Sequence, residues 1–95
     1  MKFTSAVAKL KPGYGIQCTD WNGKDQFVFD ASLTMSLVEA RKQGFPGPVK
    51  LKPVYVLHNA KGELQPGWVP SQGDLRNENW IVVKIKDALA KSAVI

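Results

Sequence analysis

Apolar side chains near the start of the chain fall at Phe3, Val7 and Leu10, the i, i+4, i+7 spacing of one helix face. The pattern predicts a short amphipathic helix capped by Thr4 or Ser5 and stopped at Lys11-Pro12-Gly13. The period then changes to two. Gly15–Thr19 places Ile16 and Cys18 on one face and Gln17 and Thr19 on the other, and Gln26–Asp30 is a second strand-like run. Asn22-Gly23 between these runs predicts a hairpin, because both central residues of a type I′ turn take positive φ; Trp21 then stands at its tip. Residues 32–43 return to helical spacing through Leu33, Leu37 and Ala40, and Gly44 occupies the place of a helix-ending glycine.

Phe45-Pro46-Gly47-Pro48 is predicted to be a rigid loop. β-Branched and aromatic content makes Val54–His58 a strand, Asn59-Ala60-Lys61-Gly62 a turn, and Glu63-Leu64-Gln65 a return strand. Ser71-Gln72-Gly73-Asp74 carries the Ser-x-x-Asp start of a helix, with Ser71 as cap and Asp74 at the third helical position. Trp80–Lys86 is the most apolar strand, and the segment from Asp87 onward is a weak terminal helix. The order helix, hairpin, helix, hairpin, helical turn, strand defines an α+β fold: a mainly antiparallel sheet with an N-terminal helix and short helices. No internal repeat or linker interrupts it, so residues 1–95 read as one domain.

A chain of 95 residues buries only about 60–65% of its unfolded surface, and association with further copies is one way to bury more. Thirteen Lys and Arg against eight Asp and Glu give a net charge of +5, which favours an anionic partner: a nucleotide, a nucleic acid or an acidic protein. With one cysteine and one histidine, the chain has neither an intrachain disulfide nor the usual zinc site. No apolar run reaches the length of a signal peptide or a membrane span, so the chain reads as cytoplasmic, with no membrane partner.

The chemistry-bearing residues are dispersed. His58 ends an apolar strand with no motif around it, Cys18 lies on the apolar side of a strand, and no two carboxylates are spaced for acid–base work. A phosphate-cradling glycine loop is missing as well. Binding is therefore a better class than catalysis. Trp21 and Trp68 lie in predicted loops, where a core role is a weak explanation, whereas Trp80 opens an apolar strand and reads as core. Asn22, Ser71, Gln72, Asp74 and Arg76 surround the loop tryptophans with hydrogen-bonding groups. Such a set can stack on a flat ring, worth about 1–3 kcal/mol per base, and bond its edges. The plainer alternative has Ser71 and Asp74 only capping a helix and Trp68 only closing the core.

Trp21-Asn22-Gly23-Lys24 and residues 59–83, NAKGELQPGWVPSQGDLRNENWIVV, resemble the Thoeris anti-defence proteins of the second type, a family of small phage proteins. The match covers residues 3–29 and 54–84, and the pairing of Trp-Asn-Gly with Trp-x-x-Ser-Gln-x-Asp is its specific part. The resemblance implies a sponge without enzymatic activity or cofactor. It would bind a cyclic ADP-ribose-type or other cyclic nucleotide signal in the cytoplasm of the infected bacterium and withhold it from its effector. It also implies a homo-oligomer, commonly a tetramer, with pockets between subunits. Carried over by position, Trp21, Asn22, Trp68, Ser71, Gln72 and Asp74 are ligand-binding residues. Thr19 and Asp20 stand where many relatives carry basic residues, so Lys24 or Arg76 would supply the phosphate contact; Gly73 replaces a commoner Thr, and residues 31–52 match poorly. A single-stranded nucleic-acid binder ranks second, since no basic strip alternates with aromatics. A phage structural or interaction module ranks third.

Overall fold

The computed structural model describes residues 1–21, 25–31 and 34–93. The elements are α1 (Phe3–Val7), β1 (Tyr14–Cys18), β2 (Phe27–Ala31), β3 (Thr34–Met35), α2 (Leu37–Lys42), β4 (Val49–Lys50), β5 (Val54–His58), β6 (Leu64–Pro66), α3 (Gln72–Arg76), β7 (Trp80–Lys84) and α4 (Ile85–Ala93). Five strands form one sheet in the order β6-β5-β2-β1-β7, with every neighbouring pair antiparallel. The fold is a small α+β domain. Its longest-range pairing is the one that brings β7 beside β1, with Ile16 opposite Val82 and Cys18 opposite Trp80.

Several local expectations meet the structure directly. β1 and β2 pair with Ile16 opposite Val28, though the Asn22-Gly23 turn between them lies outside the described residues, as does Leu33. β5 and β6 pair through the turn at 59–62, where Asn59 Oδ1 accepts from the backbone N–H groups of Lys61 and Glu63 and Gly62 takes φ +83°. At the end of α2 the Gly44 N–H reaches Arg41 O and the Phe45 N–H reaches Ala40 O, with Gly44 at φ +97°. These two bonds satisfy carbonyls that the helix leaves unpaired.

Other expectations are corrected. The cap of α1 is Lys2, with no side-chain hydrogen bond, so Thr4 and Ser5 sit inside the helix. The predicted helix over 32–43 is shorter: β3 pairs with β4 first, and Ser36 caps α2 by accepting from the Glu39 N–H. The strand predicted over Trp80–Lys86 is shorter: β7 ends at Lys84 and passes straight into α4, which takes Ile85 and Lys86.

The sheet has two apolar faces. On one, Ile16, Cys18, Val28 and Trp80 pack beneath Phe3 and Ala6 of α1, forming the main core. Met1 locks α1 to the edge of the sheet: its amino group donates to Trp80 O at 2.9 Å, and the Trp80 N–H donates to Met1 O at 3.0 Å. On the other face lie Phe27, Val56 and His58, all buried, with Phe29, Val54 and Val83 half-buried. His58 stacks on Phe27 with ring centroids 4.6 Å apart and planes 9° from parallel, and its Nδ1 lies 3.3 Å from Asp25 O. A packed aromatic neighbour accounts for this histidine.

Gly15 is required by close approach: a Cβ there would lie 3.0 Å from both the Phe27 ring and Val28 O. Gly15→Ala should therefore cost about 1–3 kcal/mol in denaturant unfolding. Gly47, with no atom within 4 Å of its would-be Cβ, should tolerate the same change within about 0.5 kcal/mol.

Candidate functional site

The segment from Trp68 to Trp80 folds around a capping box. Ser71 Oγ accepts from the Asp74 N–H and Asp74 Oδ2 accepts from the Ser71 N–H, each at 3.0 Å, which starts α3. The same Asp74 then reaches two tryptophans. Its Oδ1 accepts from Trp21 Nε1 at 3.0 Å, and its backbone carbonyl accepts from Trp80 Nε1 at 2.9 Å. The loop carrying Trp21 is also tied to residues 77–79. Thr19 donates its N–H and its hydroxyl to Asn79 O, and Asp20 Oδ2 accepts from the side chains of Asn77 and Asn79.

These bonds gather the tryptophans over the core face. Trp21 meets Trp80 edge-on at 5.1 Å and Trp68 at 6.1 Å; Phe3 meets Trp80 at 5.1 Å; Tyr55 meets Trp68 at 6.5 Å. Edge-to-face geometry of this kind adds about 0.5–1.5 kcal/mol per pair beyond burial. Trp80 is fully buried, while Trp21 and Trp68 are half-buried. Trp21 is therefore no free hairpin tip: its ring packs on the core and its indole N–H is used. The outer side of Trp68 lines an open groove of about 400 Å³ with Tyr55, Val54, Asp30 and Gly67.

The sequence-derived site residues divide accordingly. Trp21, Trp68, Ser71 and Asp74 come together, and the oxygens of Ser71 and Asp74 are engaged within the fold. Gln72 and Arg76 lie on α3 with exposed side chains. Asn22 and Lys24 lie outside the described residues. Sequence reasoning missed Tyr55 and Asp30, which sit opposite each other across β5 and β2. Strand periodicity alone marks Tyr55 as sharing a face with Leu57, but only the pairing register brings it beside Asp30 and Trp68. Among the described residues no group of His, Cys, Asp and Glu is arranged to hold a metal ion, and no helix is long and apolar enough to cross a membrane.

Two carboxylates are shifted. Burial pushes the Asp74 pKa up, but the hydrogen bonds from Trp21 and Ser71 outweigh it, so the group sits below the ordinary carboxylate value. Asp20 is also lowered, by the amides of Asn77 and then Asn79.

Fold and site thus define a small antiparallel α+β domain closed by a tryptophan cluster. The family model for the Tad2-like, or Thoeris anti-defense 2-like, domain matches residues 1–83. Thoeris anti-defense 2 of Bacillus phage SP01 is 34% identical over 88 residues, covering 87% of this chain and 94% of that protein. The chain belongs to the Thoeris anti-defense 2-like family, a family of anti-defence proteins.

A carboxylate whose folded pKa is depressed stabilises the fold above its unfolded pKa, and that stability is lost as pH falls through the folded value. Unfolding free energy should accordingly decline below about pH 4. Asp74→Asn should cost about 1–3 kcal/mol at neutral pH and flatten this acid limb. Denaturant titrations of both proteins between about pH 2.5 and 7 measure the difference.

Proposed function

We propose that the chain is a phage anti-defence sponge: it binds a cyclic ADP-ribose-type immune signal inside the infected bacterium and withholds it from the effector without degrading it. The aromatic groove beside Trp68 and Tyr55 carries the reading, with family membership behind it. Its volume of about 400 Å³ lies within the range of small-ligand sites. A purine stacks on the Trp68 or Tyr55 ring, and ribose hydroxyls donate to Asp30. Gln72 and Arg76 complete the ligand contacts from α3, and the family resemblance adds Asn22 and Lys24. Ser71, Asp74 and Trp21 act by fixing the wall against which Trp68 stands. Sequestration needs tight binding and no reacting group, which suits a site whose polar atoms are already hydrogen-bonded to one another.

The working form is a homo-oligomer, with a tetramer as the assembly. On the sheet face opposite the groove, Leu64 and Ile81 remain 58% and 39% exposed at its two edges, beside half-buried Phe29 and Val83. A second copy would cover this apolar strip. Leu64→Lys combined with Ile81→Lys should lower the mass seen by light scattering to that of a monomer, while single surface changes elsewhere leave it unaltered.

Thermal shift tests the ligand. A signal present at about a hundred times its dissociation constant adds about 2.7 kcal/mol, which moves the melting point of so small a domain by about 10 °C or more. Cyclic ADP-ribose isomers should give such a shift, and heating the complex should release the ligand unchanged. Trp68→Ala should remove the shift. No response to any cyclic nucleotide, with a response to short single-stranded DNA instead, would overturn the reading in favour of a nucleic-acid binder.

A further inference from the structure

The core face of the sheet carries a second groove beside the aromatic one, and its charge is opposite. It holds about 410 Å³ and is lined by Lys9, Leu10, Lys11, Tyr14 and Val82, at the end of α1 and the start of β1. Lys11 Nζ stands 4.6 Å above the centre of the Tyr14 ring. The ion pairs among the described residues are Lys2–Glu78 and Lys42–Glu39, so neither Lys9 nor Lys11 is neutralised by a carboxylate there. Among the described residues no acidic side chain lines this groove, and the charged residue lining the aromatic groove is Asp30.

The two grooves are neighbours. Tyr14 opens β1, Asp30 lies next to the end of β2, and Tyr55 is near the start of β5. Because β5, β2 and β1 are adjacent and antiparallel, these positions fall at the same end of the sheet. Two-residue periodicity puts Tyr14 on the face of Ile16, Asp30 on that of Val28, and Tyr55 on that of Leu57, the face that α1 covers. From β5 to β1 is two strand spacings, about 10 Å. One nucleoside carrying a pyrophosphate spans such a distance.

The geometry points to a divided site in which Lys9 and Lys11 hold the phosphates and the Trp68–Tyr55–Asp30 groove holds the base and ribose. This rests on the proposed nucleotide-signal reading and refines it: the phosphate contact passes from Lys24 or Arg76 to the end of α1. The electrostatics give the direction of binding. A pyrophosphate placed against Asp30 would face a like charge, whereas against two unpaired ammonium groups it gains charge-assisted hydrogen bonds. Asp30 in turn accepts from neutral hydroxyl or amino groups of the ligand. A ligand without phosphates fills only half of the site.

Calorimetric titration with cyclic ADP-ribose and with adenosine, on the wild type, Lys9→Gln/Lys11→Gln and Lys61→Gln, tests this assignment. Both lysines are exposed, so the double variant should keep its melting point to within a few degrees. It should bind cyclic ADP-ribose on the order of tenfold to a hundredfold more weakly. Its residual affinity should depend less on salt, and its affinity for adenosine should match the wild type. Lys61→Gln, an exposed lysine in the turn beyond β5 and away from both grooves, should stay within about threefold of the wild type, as a solvated surface charge does. If the wild type binds cyclic ADP-ribose and the double lysine variant binds it equally well, the phosphate subsite is overturned while the sponge reading stands. If adenosine weakens as much as the cyclic nucleotide, the lysines act through the fold and the inference also fails. If the wild type binds neither probe, both readings fall together.

Discussion

The hydrogen bond from Trp21 to Asp74 joins parts of the chain 53 residues apart, and much of the core face is arranged around it. Asp74 starts α3 with one oxygen, holds the Trp21 indole with the other, and takes the Trp80 indole on its carbonyl. A buried indole N–H without an acceptor is costly, so two tryptophans pin the position of a single short helix. That helix in turn sets the aromatic wall. Trp68 is held between Phe3, Trp21, Tyr55 and Trp80, and its remaining surface is what the groove offers.

The arrangement explains how a domain of this size presents an aromatic site without losing its core. Half-buried tryptophans contribute packing on one side and leave a flat, weakly hydrated surface on the other. The fixed oxygens of Ser71 and Asp74 cost the site little mobility, because they are already committed to the fold. Charge is sorted over the same face, with an acid in one groove and lysines in the next, although the net charge of +5 says nothing of that sorting. On the opposite face the apolar residues at the sheet edges remain uncovered, consistent with the limited area that a short chain can bury alone.

Local physics made much of this fold legible in the sequence. The spacing of Phe3 with Val7 wrote α1, although the helix ends at Val7 and leaves out Leu10; period-two runs wrote β1, β2 and β5, and Ser71 with Asp74 wrote the capping box, since each depends on neighbours within one turn. Gly44 ended α2 because only an unbranched backbone accepts its positive φ cheaply. Trp80 read as core and is core. Where propensity was diluted, as across residues 32–43, strand pairing with Val49-Lys50 took residues that helical periodicity had claimed.

The candidate site's residue types, but not their contacts, could be picked out from the sequence. Trp21, Trp68, Ser71 and Asp74 were marked by composition, yet their sequence neighbours give no sign that Asp74 spends its oxygens on Ser71 and Trp21. Tyr55, Asp30 and Lys9 carried no site motif, and Lys11 was marked only as part of a helix stop. They meet at one end of the sheet because β5, β2 and β1 stand side by side, and that order is fixed by burial of apolar faces between distant segments. Sequence by itself determined the α+β class, the turn at 59–62, the Ser71 cap and the family, all matters of local spacing or residue pattern. Which groups face one another across the sheet was decided by tertiary structure, because that depends on strand order and register.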